Sequence, residues 1–347
     1  MSFTLPPDPK TERRTRISQR VSFAFAALLV ILIAYFGYVG YEGSRQLTDA
    51  PHDSTDCRTP ATFGWRYEAI NYPQRTDRAL RTEPNPLRCA AQGAAAGDAL
   101  TSADGTRLAG WYIPSGSGSG PTAPTVVIVH GWSSNKSAML DRAALLHDAY
   151  NLAIVDLRNH GQSEASDTTQ GVREADDLRA VIDWLESAKA PDRVAVFGIS
   201  MGAATALNEV GSDERIDAVI AESTHATMAN AAQARLENAG YPLALPASWA
   251  ILLGTLMRTG EDVSSADAVQ TISGLDDRPV LLISGGMDDS IGENDATDLL
   301  AAAEEATSAA ALRICEEAGH ADSLETCPET YPDWVLRFLE RSLAPAG

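Results

Sequence analysis

The run Gly198-Ile199-Ser200-Met201-Gly202 reads G-x-S-x-G, a spacing that can present a serine hydroxyl as a nucleophile. Farther along stand two acids, Asp288-Asp289, and a histidine, His320. Serine, imidazole and carboxylate together do acyl transfer. The hydroxyl attacks a carbonyl, the imidazole carries the proton, and the carboxylate fixes the imidazole tautomer and stabilises the imidazolium. The oxyanion that forms needs two aimed N–H donors. Met201, directly after the serine, supplies one. Trp132, just past His130-Gly131, is assigned the other, and its indole can also wall the pocket.

Such groups work only if rigid elements hold them. Residues 193–197, Arg-Val-Ala-Val-Phe, form a short apolar run that predicts a buried strand, and 203–209 are rich in helix formers. Strand, sharp turn and helix are the setting in which the serine motif carries chemistry, with Gly198 and Gly202 letting the two backbones pass closely. Thr125–Val129 predicts a strand ending at His130-Gly131-Trp132. Pro279–Ser284 predicts another, running into the acid pair, and Ala311–Cys315 a third, leading to His320. The carboxyl ends of such strands are where groups gather in an open α/β sheet.

Further motifs extend the pattern. Asp104-Gly105 predicts a hairpin turn before Thr106–Tyr112. Asp156-Leu157-Arg158-Asn159-His160-Gly161-Gln162-Ser163 reads D-x-R-x-H-G-x-S, and Gly285-Gly286-Met287-Asp288 reads G-x-x-D. On these motifs the chain from about Asp98 to its C-terminus resembles the α/β-hydrolase superfamily, in its serine-aminopeptidase-like and acyl-esterase-like branch. The resemblance implies a mostly parallel twisted sheet flanked by helices, and a triad in the order Ser200, Asp288, His320. It favours Asp288 over Asp289. It also implies that the stretch 226–275, between two core strands, forms a small helical cap over the site; a surface-packed excursion is the alternative. Ser284-Gly285 stands where the family usually has His-Gly.

Other titratable residues have plainer readings. Some members of the superfamily carry the acid after an earlier strand, which makes Glu222 the reserve acid. His130 and His160 sit in loop motifs and are expected to shape those loops. His225 can reach the pocket but is read as structural. His147 is expected at a helix surface, and His52 has nothing near it that suggests a site. There is no C-x-x-C pair, no H-E-x-x-H and no phosphate-binding glycine motif after a strand, so neither metal nor cofactor is expected.

The N-terminus carries a second signal. Val21 to Tyr41 has no charged residue and is long enough to cross a bilayer as a helix. Lys10, Arg13, Arg14, Arg16 and Arg20 precede it, which predicts a cytoplasmic N-terminus with the rest outside. An uncleaved anchor is favoured over a cleaved signal, because the core is long and no A-x-A-like site follows. Residues 1–20 carry a net +3 while the whole chain carries −20, leaving −23 for the remainder. So acidic a body argues against nucleic acid as a partner. Cys57, Cys89, Cys315 and Cys327 all follow the span, as expected of an oxidising compartment. Local pairing is expected, Cys57 with Cys89 and Cys315 with Cys327, the second bridge closing the loop that carries His320.

The expected organisation is a basic tail (1–20), an anchor (21–42), an extension packed on the body through Trp65, Tyr67 and Ile70 (43–97), and one hydrolase domain (98–347). The expected activity is cleavage of a carboxylic ester or thioester, on a small-molecule or lipid acyl substrate, through an acyl-enzyme. Peptidase or acyltransferase action on the same triad, or a silent hydrolase fold used for binding, are the alternatives. The sequence leaves the oligomeric state open.

Overall fold

The computed structural model describes residues 9–50, 56, 58–70, 100–292 and 294–344. In chain order the helices and strands are α1 (Pro9–Thr48), β1 (Glu68–Ile70), β2 (Ala109–Ile113), β3 (Thr125–Val129), α2 (Leu140–Leu146), β4 (Asn151–Asp156), α3 (Val172–Ala188), β5 (Val194–Ile199), α4 (Met201–Val210), β6 (Ala218–Glu222), α5 (Met228–Asn238), α6 (Ala244–Thr259), α7 (Ala268–Thr271), β7 (Val280–Gly285), α8 (Asp295–Ala306), β8 (Ala310–Cys315), α9 (Ser323–Thr326) and α10 (Tyr331–Ser342).

The strands form one eight-stranded sheet in the order β1-β2-β4-β3-β5-β6-β7-β8. β1, β2 and β4 pair antiparallel, and every pairing from β4 to β8 is parallel. Strands β3 to β7 are buried along their whole length, which is why they read as continuous apolar runs rather than alternating ones. Helices cover both faces. Leu178, Val181 and Leu185 of α3, Leu207 of α4 and Leu299 of α8 pack on one. Leu140 and Leu146 of α2 and Val335 and Leu339 of α10 pack on the other. This is the architecture that the resemblance implies.

Between β6 and β7 the chain leaves the sheet as α5 and α6, which pack on each other and on the end of α1 in a third apolar cluster including Val39, Leu47, Met228, Ala232, Ala247 and Ile251. A helical layer thus stands where a cap is expected.

The N-terminal region adds three features that the sequence did not show. First, α1 continues past residue 42. It runs to Thr48, with Glu42 accepting hydrogen bonds from Arg45 and Gln46 one turn on. Its stretch Ser18–Thr48 is long and apolar enough to cross a membrane. Second, the extension supplies a sheet strand: β1 pairs with β2 through Ala69 and Trp111, and Ile70 is buried. Third, His147 is not a bare surface residue, because the Trp65 ring stacks on it at 4.3 Å. Cys315 and Cys327 form a disulfide. His52 and the expected Cys57–Cys89 pair lie outside the described residues.

Candidate active site

Ser200 sits between β5 and α4 at φ 54° and ψ −117°, a backbone conformation that costs energy for a residue with a side chain. The turn survives because its flanks are glycine. A Cβ on Gly198 would run into the Gly202 carbonyl, and one on Gly202 would lie 2.6 Å from the His130 carbonyl oxygen. The Ser200 N–H is held by the Glu222 carbonyl at 2.8 Å. The side chain is left facing out of the sheet at the carboxyl ends of the strands.

His320 meets it there. Its Nε2 lies 2.9 Å from Ser200 Oγ, and its Nδ1 lies 2.8 Å from Asp288 Oδ2. Asp288 is buried behind the ring, and its other oxygen accepts from the Ser290 N–H at 2.9 Å. With Nδ1 protonated, that N–H donates to Asp288 and leaves Nε2 to accept the serine proton. Asp289 is exposed. The loops carrying the acid and the base are fastened to each other. Gly286 N–H donates to Cys315 O at 2.8 Å and Met287 N–H to Ala318 O at 2.9 Å. A Cβ on Gly285 would lie 2.5 Å from the Gly319 carbonyl oxygen, so this glycine is required by the close approach of the two loops. The disulfide from Cys315 to Cys327 closes the far side of the His320 loop.

The loop after β3 reaches the same point. A Cβ on Gly131 would stand 3.1 Å from Ser200 Cβ. His130 and His160 brace this loop: His130 Nδ1–H donates to Gly131 O at 2.8 Å while its Nε2 accepts from Leu157 N–H, and His160 Nε2 accepts from Ser133 N–H at 3.2 Å. Burial holds the His130 imidazole below its usual pKa, as suits a ring nitrogen that must accept. Among the described residues no hydrogen bond takes up the backbone N–H of Trp132 or Met201. The Trp132 indole Nε1–H donates to Leu47 O at 3.3 Å.

Glu222, the reserve acid, is engaged elsewhere. Its carboxylate accepts two hydrogen bonds from Arg142, at 2.9 and 2.8 Å, and one from the Tyr331 hydroxyl at 2.6 Å. The same guanidinium donates to Ala321 O at 2.7 Å, next to His320. Glu222 and Arg142 therefore position the base loop from below. Sequence reasoning missed this pair because its members stand 80 residues apart in no local pattern. It also missed Arg235 on α5, whose guanidinium lies 5.3 Å from the centre of the Trp132 ring.

His225 is buried beside the site. Burial first, then the neighbouring Arg235 guanidinium and the His320 ring, push its pKa down to about 4, so it is neutral at pH 7. A cavity of about 690 Å³ opens between α5 and the acid loop, lined by Asn230, Gln233, Met287, Asp288 and Ile291. It borders the back of Asp288 and not the Ser200 hydroxyl.

The model of the alpha/beta hydrolase family matches residues 126–337. Protein YfhR of Escherichia coli K12 is 29% identical over 253 residues, covering 71% of this chain and 81% of its own. Protein YqkD of Bacillus subtilis is 32% identical over 228 residues, covering 63% and 72%. Among solved structures, the esterase Pf2001 of Pyrococcus furiosus superposes with a TM-score of 0.65 at 21% identity, over 86% of this chain and 99% of that one.

Proposed function

The chain belongs to the alpha/beta hydrolase family, and from that premise we propose that it is a membrane-anchored, extracytoplasmic serine hydrolase that cleaves a carboxylic ester or thioester. One observation carries the reading: the unbroken relay from Asp288 through His320 to Ser200, at 2.8 and 2.9 Å. Ser200 Oγ attacks the carbonyl carbon while His320 Nε2 takes its proton. The oxyanion accepts hydrogen bonds from the Trp132 and Met201 N–H groups, which have no other partner among the described residues. His320 then gives the proton to the leaving alcohol or thiol, and the acyl group stays on Ser200. A water molecule, deprotonated by the same nitrogen, releases the acid and restores the serine. Asp288 keeps Nδ1 protonated and stabilises the imidazolium.

In this reading residues 1–20 are a cytoplasmic tail, the apolar part of α1 from about residue 21 to 42 is the anchor, 98–347 form the catalytic domain and 226–275 its cap. The basic residues before the span and the Cys315–Cys327 disulfide support an outward-facing domain. Hydrolysis of a panel of p-nitrophenyl esters by full-length protein in detergent tests the chemistry. The wild type is expected to turn over short-chain esters and Ser200→Ala to fall to background. Turnover that persists in Ser200→Ala removes the serine from the mechanism.

A further inference from the structure

We propose that the cap helix α6 lies in the outer leaflet of the bilayer beside α1, so that the site draws its acyl substrate from the membrane. This rests on the anchored reading above and deepens it.

The first observation is the exposed face of α6. Leu245, Trp249, Leu253, Leu256 and Met257 recur at three- and four-residue spacing and so share one side of the helix. All are exposed, Trp249 at 57%, Leu253 at 58% and Met257 at 81%. The helix has no charged residue before Arg258. Its other side, with Ala247 and Ile251, is buried against α1 and α5. A contiguous apolar face of this kind marks an interaction surface.

The second observation names the occupant. The helix carrying this face packs on the C-terminal part of α1, which presents exposed Phe23, Phe25, Leu28 and Ile33 farther down and exposed Tyr38 and Tyr41 at the level of the contact. Where α1 and α6 approach most closely, the contacts are made at small residues. A Cβ on Gly40 would lie 2.7 Å from the Ala250 carbonyl oxygen, one on Gly43 2.6 Å from Ile251 Cδ1, and one on Gly254 2.9 Å from Ser44 Oγ. Crossings built on small residues are how helices pack inside lipid, where water supplies no hydrophobic drive between them. The Tyr35 hydroxyl also donates to Pro242 O, just before α6. Whatever surrounds α1 therefore continues onto α6, and around a membrane span that is lipid.

The third observation links this surface to the chemistry. The last carbonyls of α1 end at the site. Leu47 O accepts from Trp132 Nε1–H and from Gln170 Nε2 at 3.1 Å, and Thr48 O accepts from Thr168 N–H at 2.9 Å. Leu47 stands six positions along the helix from Tyr41, at the end of the uncharged span, a rise of about 9 Å. Trp132 and the Ser200 elbow beside it are thus held close above the bilayer. A carbonyl at the head of a chain still rooted in the leaflet reaches that height. The substrate class that fits is a long-chain acyl ester or thioester of a membrane-resident amphiphile.

The test uses the full chain in phosphatidylcholine vesicles. Brominated phosphatidylcholine is expected to quench part of the tryptophan emission, and Trp249→Phe to remove that part, while aqueous iodide leaves it untouched. The triple variant Trp249→Ser, Leu253→Ser, Met257→Ser is expected to hydrolyse a long-chain ester in vesicles at least ten-fold more slowly, and a soluble short-chain ester at the wild-type rate. Trp249 quenched by iodide and not by bromolipid overturns the proposal. So does Trp249 shielded from both, which puts a second copy of the chain on the face, and so does a triple variant at full rate on the vesicle substrate. Release of the protein from vesicles by high salt overturns the anchor and this proposal with it. A wild type inert on the soluble ester overturns the hydrolase reading alone, and the quenching result still decides where α6 lies.

Discussion

Asp288 and Glu222 are both buried carboxylates, one just past β7 and one at the end of β6, on the same side of the Ser200 elbow, and they differ in what they hold. Asp288 holds the His320 ring; Glu222 holds Arg142 and the Tyr331 hydroxyl. Asp288→Asn is expected to leave the fold standing and to lower kcat by as much as ~10⁴, because the amide favours the wrong His320 tautomer. Asp289→Asn, at an exposed position, is expected to change kcat little. Glu222→Gln strips a buried guanidinium of its countercharge, a kind of change that costs about 3–5 kcal/mol of stability. It is expected to lower the urea midpoint while the folded protein loses far less kcat than Asp288→Asn does. Steady-state rates and urea unfolding on the three variants check this, and an Asp288→Asn enzyme near wild-type rate redraws the triad. His225 gives a pH signature. Its imidazole titrates near 6.5 in an unfolded chain and about 4 in the folded one. Between those values the unfolded state binds the extra proton, so this residue's contribution is full above pH 6.5 and is lost as pH falls toward 4. The loss is on the order of 3 kcal/mol, given a shift of that size. His225→Gln is expected to flatten that part of the stability curve; parallel curves for wild type and variant would contradict it.

At the scale of elements, the His320 loop is pinned at three points: the disulfide, the hydrogen bonds to the acid loop, and Arg142 under Ala321. Cys315→Ser with Cys327→Ser opens a twelve-residue loop, for which about 2–3 kcal/mol of stability is the expected loss. Thermal unfolding reads that, and kcat is expected to fall as well, since the base loop then keeps only the acid-loop hydrogen bonds and Arg142. The strands that position the triad were legible because burial on both faces makes them β-branched and apolar throughout, as in Thr125–Val129. The elbow was legible because its two glycines answer a local steric demand. What was not legible depends on partners distant in sequence. β1 is three residues long in a polar stretch and exists because Trp111 and its neighbours offer a sheet edge. Glu42 ends the uncharged span but not the helix, because α6 and the Trp132 and Gln170 side chains hold the helix end. Gly40 and Gly43 carry no signal of their own in the sequence, and the packed α6 shows that they are where the helices meet closely.

At the scale of the molecule, the account joins two ends of one chain. An N-terminal helix apolar enough to cross a membrane terminates on the loop that carries Trp132, beside a serine, histidine and aspartate in hydrogen-bonded series. The −23 carried by everything after residue 20 argues against electrostatic docking on an anionic surface, so the anchored reading requires that attachment come from apolar insertion and survive salt. The central claim is a serine nucleophile facing outward from a membrane, and one labelling experiment tests both halves. Intact cells expressing the full chain are treated with a membrane-impermeant fluorophosphonate, and the labelled protein is recovered from salt-washed membranes. The account predicts a label on the wild type, mapped to the peptide containing Ser200, and none on Ser200→Ala. Labelling that appears only after lysis, or that remains in Ser200→Ala, would contradict it.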